Sequence, residues 1–121
     1  MNFLYVFIGG GLGSICRYGI ALLLKKNQFN FPFATLIANI IACIILGYLI
    51  GLAAKDSISM NQKLLLMTGF CGGFSTFSTF SAETFLLFEN GNVGYALANI
   101  GLSIIVCLVG IWIGWHLSSL K

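Results

Sequence analysis

Charge is what this chain has least of. Only 7% of its 121 residues are charged, and the acids are Asp56, Glu83 and Glu89 alone, against six Lys and Arg. So sparse a charge cannot solvate the surface of a water-soluble domain. The net +3 is also scattered, without the basic run that a nucleic-acid partner needs. Proline occurs once (Pro32) and histidine once (His116). The cysteines, Cys16, Cys43, Cys71 and Cys107, stand far apart with no CxxC spacing, which argues against a zinc or redox motif and reads as small apolar filler. No GKT/GKS, HExxH or nucleophile–base pair is present, and the GGGLG of residues 9–13 lacks both the GxGxxG register and a preceding strand. Enzyme chemistry has no support in these residues.

What fills the space is hydrocarbon. Hydrophobic residues make up 59% of the chain and fall into four stretches, about 3–24, 33–54, 64–88 and 93–117. Each exceeds the roughly 20 residues that cross a bilayer core of about 30 Å. The expected fold is an all-α integral membrane protein, a single transmembrane domain over 1–121 with four transmembrane helices. The first stretch is not read as a signal peptide, because no basic segment precedes it and Arg17 lies inside it. The connections are short. Pro32 is placed to open a helix at its first turn, Ser57 or Ser59 to cap the next, and ENGN at 89–92 to turn the chain.

Each span carries a small-xxx-small glycine pair, Gly9/Gly13, Gly47/Gly51, Gly69/Gly73 and Gly110/Gly114, which lets helix backbones approach closely in lipid. Four short helices enclose little by themselves, so a homodimer is expected. Lys55, Lys63 and Lys121 fall on one side of the membrane, and Lys25, Lys26 and the reach of Arg17 on the other. Such near-balance leaves two readings open, one weakly biased orientation or insertion in both.

The third stretch is the odd one. Residues 69–80 read GFCGGFSTFSTF, poor helix in the middle of a membrane span. A bilayer tolerates irregular backbone only where protein or water covers it, so a helix broken near its middle marks a functional site. The triplet Ser-Thr-Phe is repeated at 75–77 and 78–80. On a helix, triplets are displaced by only about 60°, placing Phe77 and Phe80 to one side and Thr76 and Thr79 to another. The rings suit core packing, but a phenyl ring also has a positive edge that can hold a small anion weakly enough to release it. Thr35 and Asn39 share a face of the second span, and Asn99 and Ser103 a face of the fourth. Asn39 has two amide hydrogens for an anion or for an interhelical bond. Arg17, in an apolar span, should face protein or a vestibule. Glu83 can relay protons or tether neighbouring structure.

Three segments, GGGLGSICRYG at 9–19, TLIAN at 35–39 and GFCGGFSTFSTFSAE at 69–83, resemble the Fluc (CrcB-type) fluoride channels of bacterial membranes, in order and along the whole chain. The resemblance implies an antiparallel, dual-topology homodimer in the bacterial inner membrane, with lipid around it and two fluoride pathways. It implies Phe77 and Phe80 as the rings of the fluoride sites, Asn39 as the pore amide, Thr79 and Ser103 on a hydroxyl track, Thr35 towards a pore mouth and Arg17 at a vestibule. It also implies a structural Na+ at the dimer centre, held by the backbone carbonyls of Gly72 and Ser75 from both subunits. Relatives often have Thr-Thr-Phe-Ser where this chain has Ser75-Thr76-Phe77-Ser78, a change that backbone coordination tolerates. The implied function is passive fluoride export. The alternative is a small four-span proton-coupled multidrug transporter, whose chemistry needs a carboxylate in the first span, where this chain has none. A non-conducting assembly subunit would leave the repeated triplet unexplained.

Overall fold

The computed structural model describes residues 1–25 and 31–120. Lys26 and Lys121, both counted in the charge balance, lie outside the described residues. Every regular element among the described residues is helical. Helices α1 (Asn2–Leu24) and α2 (Phe33–Ala54) have 23 and 22 residues, are free of proline and are rich in aliphatics. Both, with the last helix, are long and apolar enough to cross a membrane. Pro32 is not within the first turn of α2 but caps it from outside, its carbonyl accepting from the Leu36 N–H at 3.3 Å. Proline lacks an N–H that either position would leave unused, so its chemistry does not separate the two.

Of the two candidate serines it is Ser59 that starts the next element. Its Oγ accepts from the Gln62 N–H at 3.2 Å, and Gln62 Oε1 accepts from the Ser59 N–H at 2.8 Å, a reciprocal capping box. The chain then passes through α3 (Met60–Gln62), a π-helix (Lys63–Cys71) and α4 (Gly72–Phe74). Ser75 is extended, with φ −79° and ψ 158°, and α5 (Ser78–Glu89) follows. Gly91, with φ +81°, makes the turn into α6 (Val93–Ser119), a left-handed position at which a Cβ would be strained.

Two close helix pairings organise the bundle. On one side α1 lies against the π-helix and α4, and on the other α2 lies against α6. The glycine pairs sit at both seams. A Cβ built on Gly13 would overlap the Phe70 carbonyl oxygen and stand 2.7 Å from the Phe74 nitrogen, and one on Gly47 would overlap the Ile111 carbonyl. Backbone against backbone at this separation is the small-residue packing of helices in lipid.

Burial runs opposite to that of a soluble protein. Phe3, Phe7, Leu23, Ile105 and Leu108 are exposed, whereas Thr35, Asn39, Thr84, Asn99, Ser103 and Ser118 are buried. A small apolar cluster of Ala38, Ala42 and Phe74, flanked by Ile20 and Phe70, packs the centre. Polar groups inside and hydrocarbon outside suit a chain whose solvent is lipid.

Candidate functional site

The interruption between Phe74 and Ser78 has a definite hydrogen-bond chemistry. Cys71 C=O accepts from both the N–H (3.0 Å) and the hydroxyl (2.8 Å) of Ser75, which closes the preceding helix. The Thr76 N–H, which would otherwise continue onto Gly72, donates to Asn39 Oδ1 at 2.8 Å. Asn39 Nδ2 donates in turn to the Thr76 carbonyl at 3.1 Å. One side chain of α2 thus stands in for a helical neighbour on both faces of the Thr76 peptide. One residue group further on, the Thr79 N–H donates to Thr76 Oγ1 at 3.1 Å instead of to Ser75. The carbonyls of Gly72 and Ser75 are therefore the two whose helical donors have been diverted to side chains.

Thr76 and Thr79 do not share a side. Thr76 precedes α5, so the helical displacement of about 60° does not apply to it. Its hydroxyl caps the helix, while Thr79 borders a different cavity. The rings of Phe77 and Phe80 do come together, with centroids 5.7 Å apart and planes tilted by 37°.

The candidate residues line two cavities around the start of α5. The larger, of about 380 Å³, is bordered by Asn39, Gly72, Ser75, Phe77, Phe80 and Ser103, and also by Thr76, Ile104, Cys43 and Cys107. The smaller, of about 220 Å³, is bordered by Arg17, Thr35 and Thr79 with Ser14, Tyr18, Ala21 and Ala34. Arg17 Nε donates to the Gly73 carbonyl at 3.2 Å, and the Ser14 hydroxyl reaches the same oxygen at 3.5 Å. The guanidinium thus occupies a carbonyl of the interrupted segment while its charge stays beside the cavity. Thr35 Oγ1 donates to Glu83 Oε1, a hydrogen bond that ties α2 to α5. Of the two roles open to Glu83, tethering is the one this contact serves.

A buried relay escaped the sequence reading. Ser103 Oγ donates to Asn99 Oδ1 (3.2 Å), Asn99 Nδ2 donates to Thr84 Oγ1 (2.9 Å), and Thr84 Oγ1 donates to the Phe80 carbonyl (2.7 Å). The Asn99–Ser103 spacing was legible, but Thr84 was not singled out. Its signal was its place four residues after Phe80, where a helical threonine bonds back to the carbonyl. We expect Thr84→Val to cost about 1–3 kcal/mol, because it leaves the buried Asn99 amide without its acceptor. A thermal unfolding series in detergent checks this. Asn39→Leu strips both partners from the Thr76 peptide and should destabilise by about 2 kcal/mol or more, whereas a fall within experimental error would mean that the interruption holds itself.

Comparison with known proteins decides what kind of chain this is. Residues 4–115 match the family described as CrcB-like protein, Camphor Resistance (CrcB). The chain belongs to the CrcB family. Its curated relatives include proteins named fluoride-specific ion channel FluC. One from Azobacteroides pseudotrichonymphae is 39% identical over 116 residues, covering 94% of this chain and 93% of its own length. Another from Methylobacillus flagellatus is 44% identical over 115 residues, with coverages of 93% and 90%. A third from Pyrococcus horikoshii is 45% identical over 114 residues, with coverages of 93% and 92%. With membership in the CrcB family and its apolar helices, this chain is a multi-pass membrane protein.

Proposed function

We propose that the protein is a passive, fluoride-selective channel that lowers internal fluoride, working as an antiparallel homodimer. The observation that carries the reading is its similarity, over more than nine-tenths of its length, to proteins named fluoride-specific ion channels. The site has the donors such a task needs. A fluoride ion leaving water must exchange its hydration shell for protein donors, each strong enough to admit it and weak enough to let it go. Hydroxyls and an amide supply hydrogen bonds, and ring edges supply positive potential without a fixed charge. Phe77, Phe80, Asn39 and Ser103 border one cavity and Thr79, Thr35 and Arg17 its neighbour, so the donors form a series and not a single deep well. One hydrogen of Asn39 is committed to Thr76, which leaves the other for an anion. The Ser103 hydroxyl, now donating to Asn99, can turn by rotation about one bond. Arg17 attracts anions to the cavity that it borders.

The third stretch, from α3 through α5, serves in this reading as one interrupted span. Its exposed Phe77 ring, 79% accessible, and the Gly72 backbone both face the larger cavity. A second copy of the chain is the cover that keeps such backbone from lipid. The nearly balanced basic residues permit insertion in both orientations, and in this reading the two copies run antiparallel. The Gly72 and Ser75 carbonyls, with their helical donors diverted to Asn39 and Thr76, are hard oxygen ligands of the kind that holds Na+. Two such carbonyls from each copy would hold the ion, and when bound it supplies positive potential beside the anion path.

Reconstitution tests the function. Liposomes carrying the protein and loaded with fluoride should release it rapidly to an electrode once a potassium ionophore dissipates the charge. Proton-linked export of organic cations with no fluoride release would favour the multidrug transporter instead. That rival has no carboxylate in α1 on which to run. A C-terminal reporter tests the assembly: it should be reached from both faces of the membrane, and labelling from one face alone would remove the antiparallel dimer.

A further inference from the structure

Cys43 on α2 and Cys107 on α6, two helices packed closely together, both border the larger cavity. Their separation in sequence hides this pairing. It follows from the close seam between the helices: a Cβ built on Gly110, less than one turn beyond Cys107, would stand 3.4 Å from the Cys43 Cβ. Cys71 is buried and Cys16 is exposed on α1. We propose that Cys43 and Cys107 form a two-thiol binding site for a soft, two-coordinate cation, with mercuric ion as the best-fitting member.

Ligand count and charge both lead there. Thiolates select soft metals. Among the described residues no group of three or more His, Cys, Asp or Glu stands together, so a tetrahedral zinc site lacks its ligands. A linear ion needs two. On binding Hg2+, both S–H bonds break, two S–Hg bonds form and two protons leave to water, with no change of oxidation state. The product is neutral. Silver or monovalent copper on the same thiolates would leave one net negative charge in a cavity walled by Ile104, Phe77 and Phe80, where an unpaired charge is costly. A mercury ion there would stand beside the Phe80 ring and Ser103, so it should also obstruct the fluoride path proposed above.

The test uses the reduced, full-length protein in chloride-free nitrate buffer. A Cys16→Ser/Cys71→Ser variant retains the pair, and adding Cys43→Ser or Cys107→Ser breaks it. After exposure to Hg2+ and dialysis against excess monothiol, the pair-retaining variant should keep one mercury per chain, with thiolate-to-mercury charge-transfer absorption. Each pair-broken variant should bind about 100-fold more weakly or worse, since the second ligand acts at high effective concentration. Equal retention in a pair-broken variant, no retention in the pair-retaining one, or one mercury per two chains (a bridge between copies) would each overturn the site. Because this readout uses no fluoride, its failure is distinguishable from failure of the channel reading. Fluoride efflux that mercury blocks only when the pair is present is the added functional result.

Discussion

Phe77→Ile and Phe80→Ile should each slow fluoride efflux by about 100-fold, with the protein still folded. Isoleucine keeps an apolar side chain but removes the ring and its positive edge. Each tenfold in rate corresponds to about 1.4 kcal/mol, so a 100-fold loss asks for under 3 kcal/mol, within reach of two or three weak anion contacts. Phe77 is the cleaner of the two within one chain. Its ring is 79% exposed there, so shortening it removes little packing inside the protomer. Phe80 is better supported, with its carbonyl tied through Thr84 to Asn99, and Phe80→Ile should lose flux without loosening that relay. Phe77→Tyr keeps the aromatic ring and should retain much more flux than Phe77→Ile. Efflux from proteoliposomes, measured beside gel-filtration behaviour in detergent, separates loss of function from loss of fold. Near-normal efflux in both isoleucine variants would exclude ring edges from conduction.

The parts of this molecule that were legible in its sequence are those that composition or spacing controls directly. Length and hydrocarbon content placed α1, α2 and α6 within a few residues, because a proline-free run of that length in lipid has little alternative to helix. The Ser-Thr-Phe repeat brought Phe77 and Phe80 together as expected, since both lie at or inside the start of α5. Thr76 is misplaced for the converse reason: it stands two residues before α5, beyond the cap Phe77, where the helical periodicity no longer applies. The π-helix Lys63–Cys71 had no signature, as its wider turn does not depend on any one residue type. The partners of the polar side chains were equally hidden. That Asn39 serves the Thr76 peptide, Arg17 the Gly73 carbonyl and Thr35 the Glu83 carboxylate is decided by which helices meet, and so by the glycine seams.

Those seams carry the second large prediction. Gly13→Ala should cost about 3 kcal/mol or more, far above what adding a methyl group to a helix normally does. On helix propensity alone, alanine for glycine would stabilise by about 1 kcal/mol. At Gly13 the new Cβ meets the Phe70 carbonyl oxygen and lies 2.7 Å from the Phe74 nitrogen, both backbone atoms that no rotamer change can move aside. Relief would require α1 to part from the π-helix and α4. The Ser14 and Arg17 contacts to Gly73 O would part with it, so the smaller cavity should lose its form along with the seam. Gly11→Ala is the matched control on the same helix, where a Cβ meets nothing within 4 Å, and it should be neutral or slightly stabilising. Thermal unfolding in detergent, with fluoride efflux on the same samples, compares the pair. If Gly13→Ala unfolds at the same temperature as Gly11→Ala, the seam is not rigid, and the positions of Arg17 and Gly73 must be held by something other than the glycine contact.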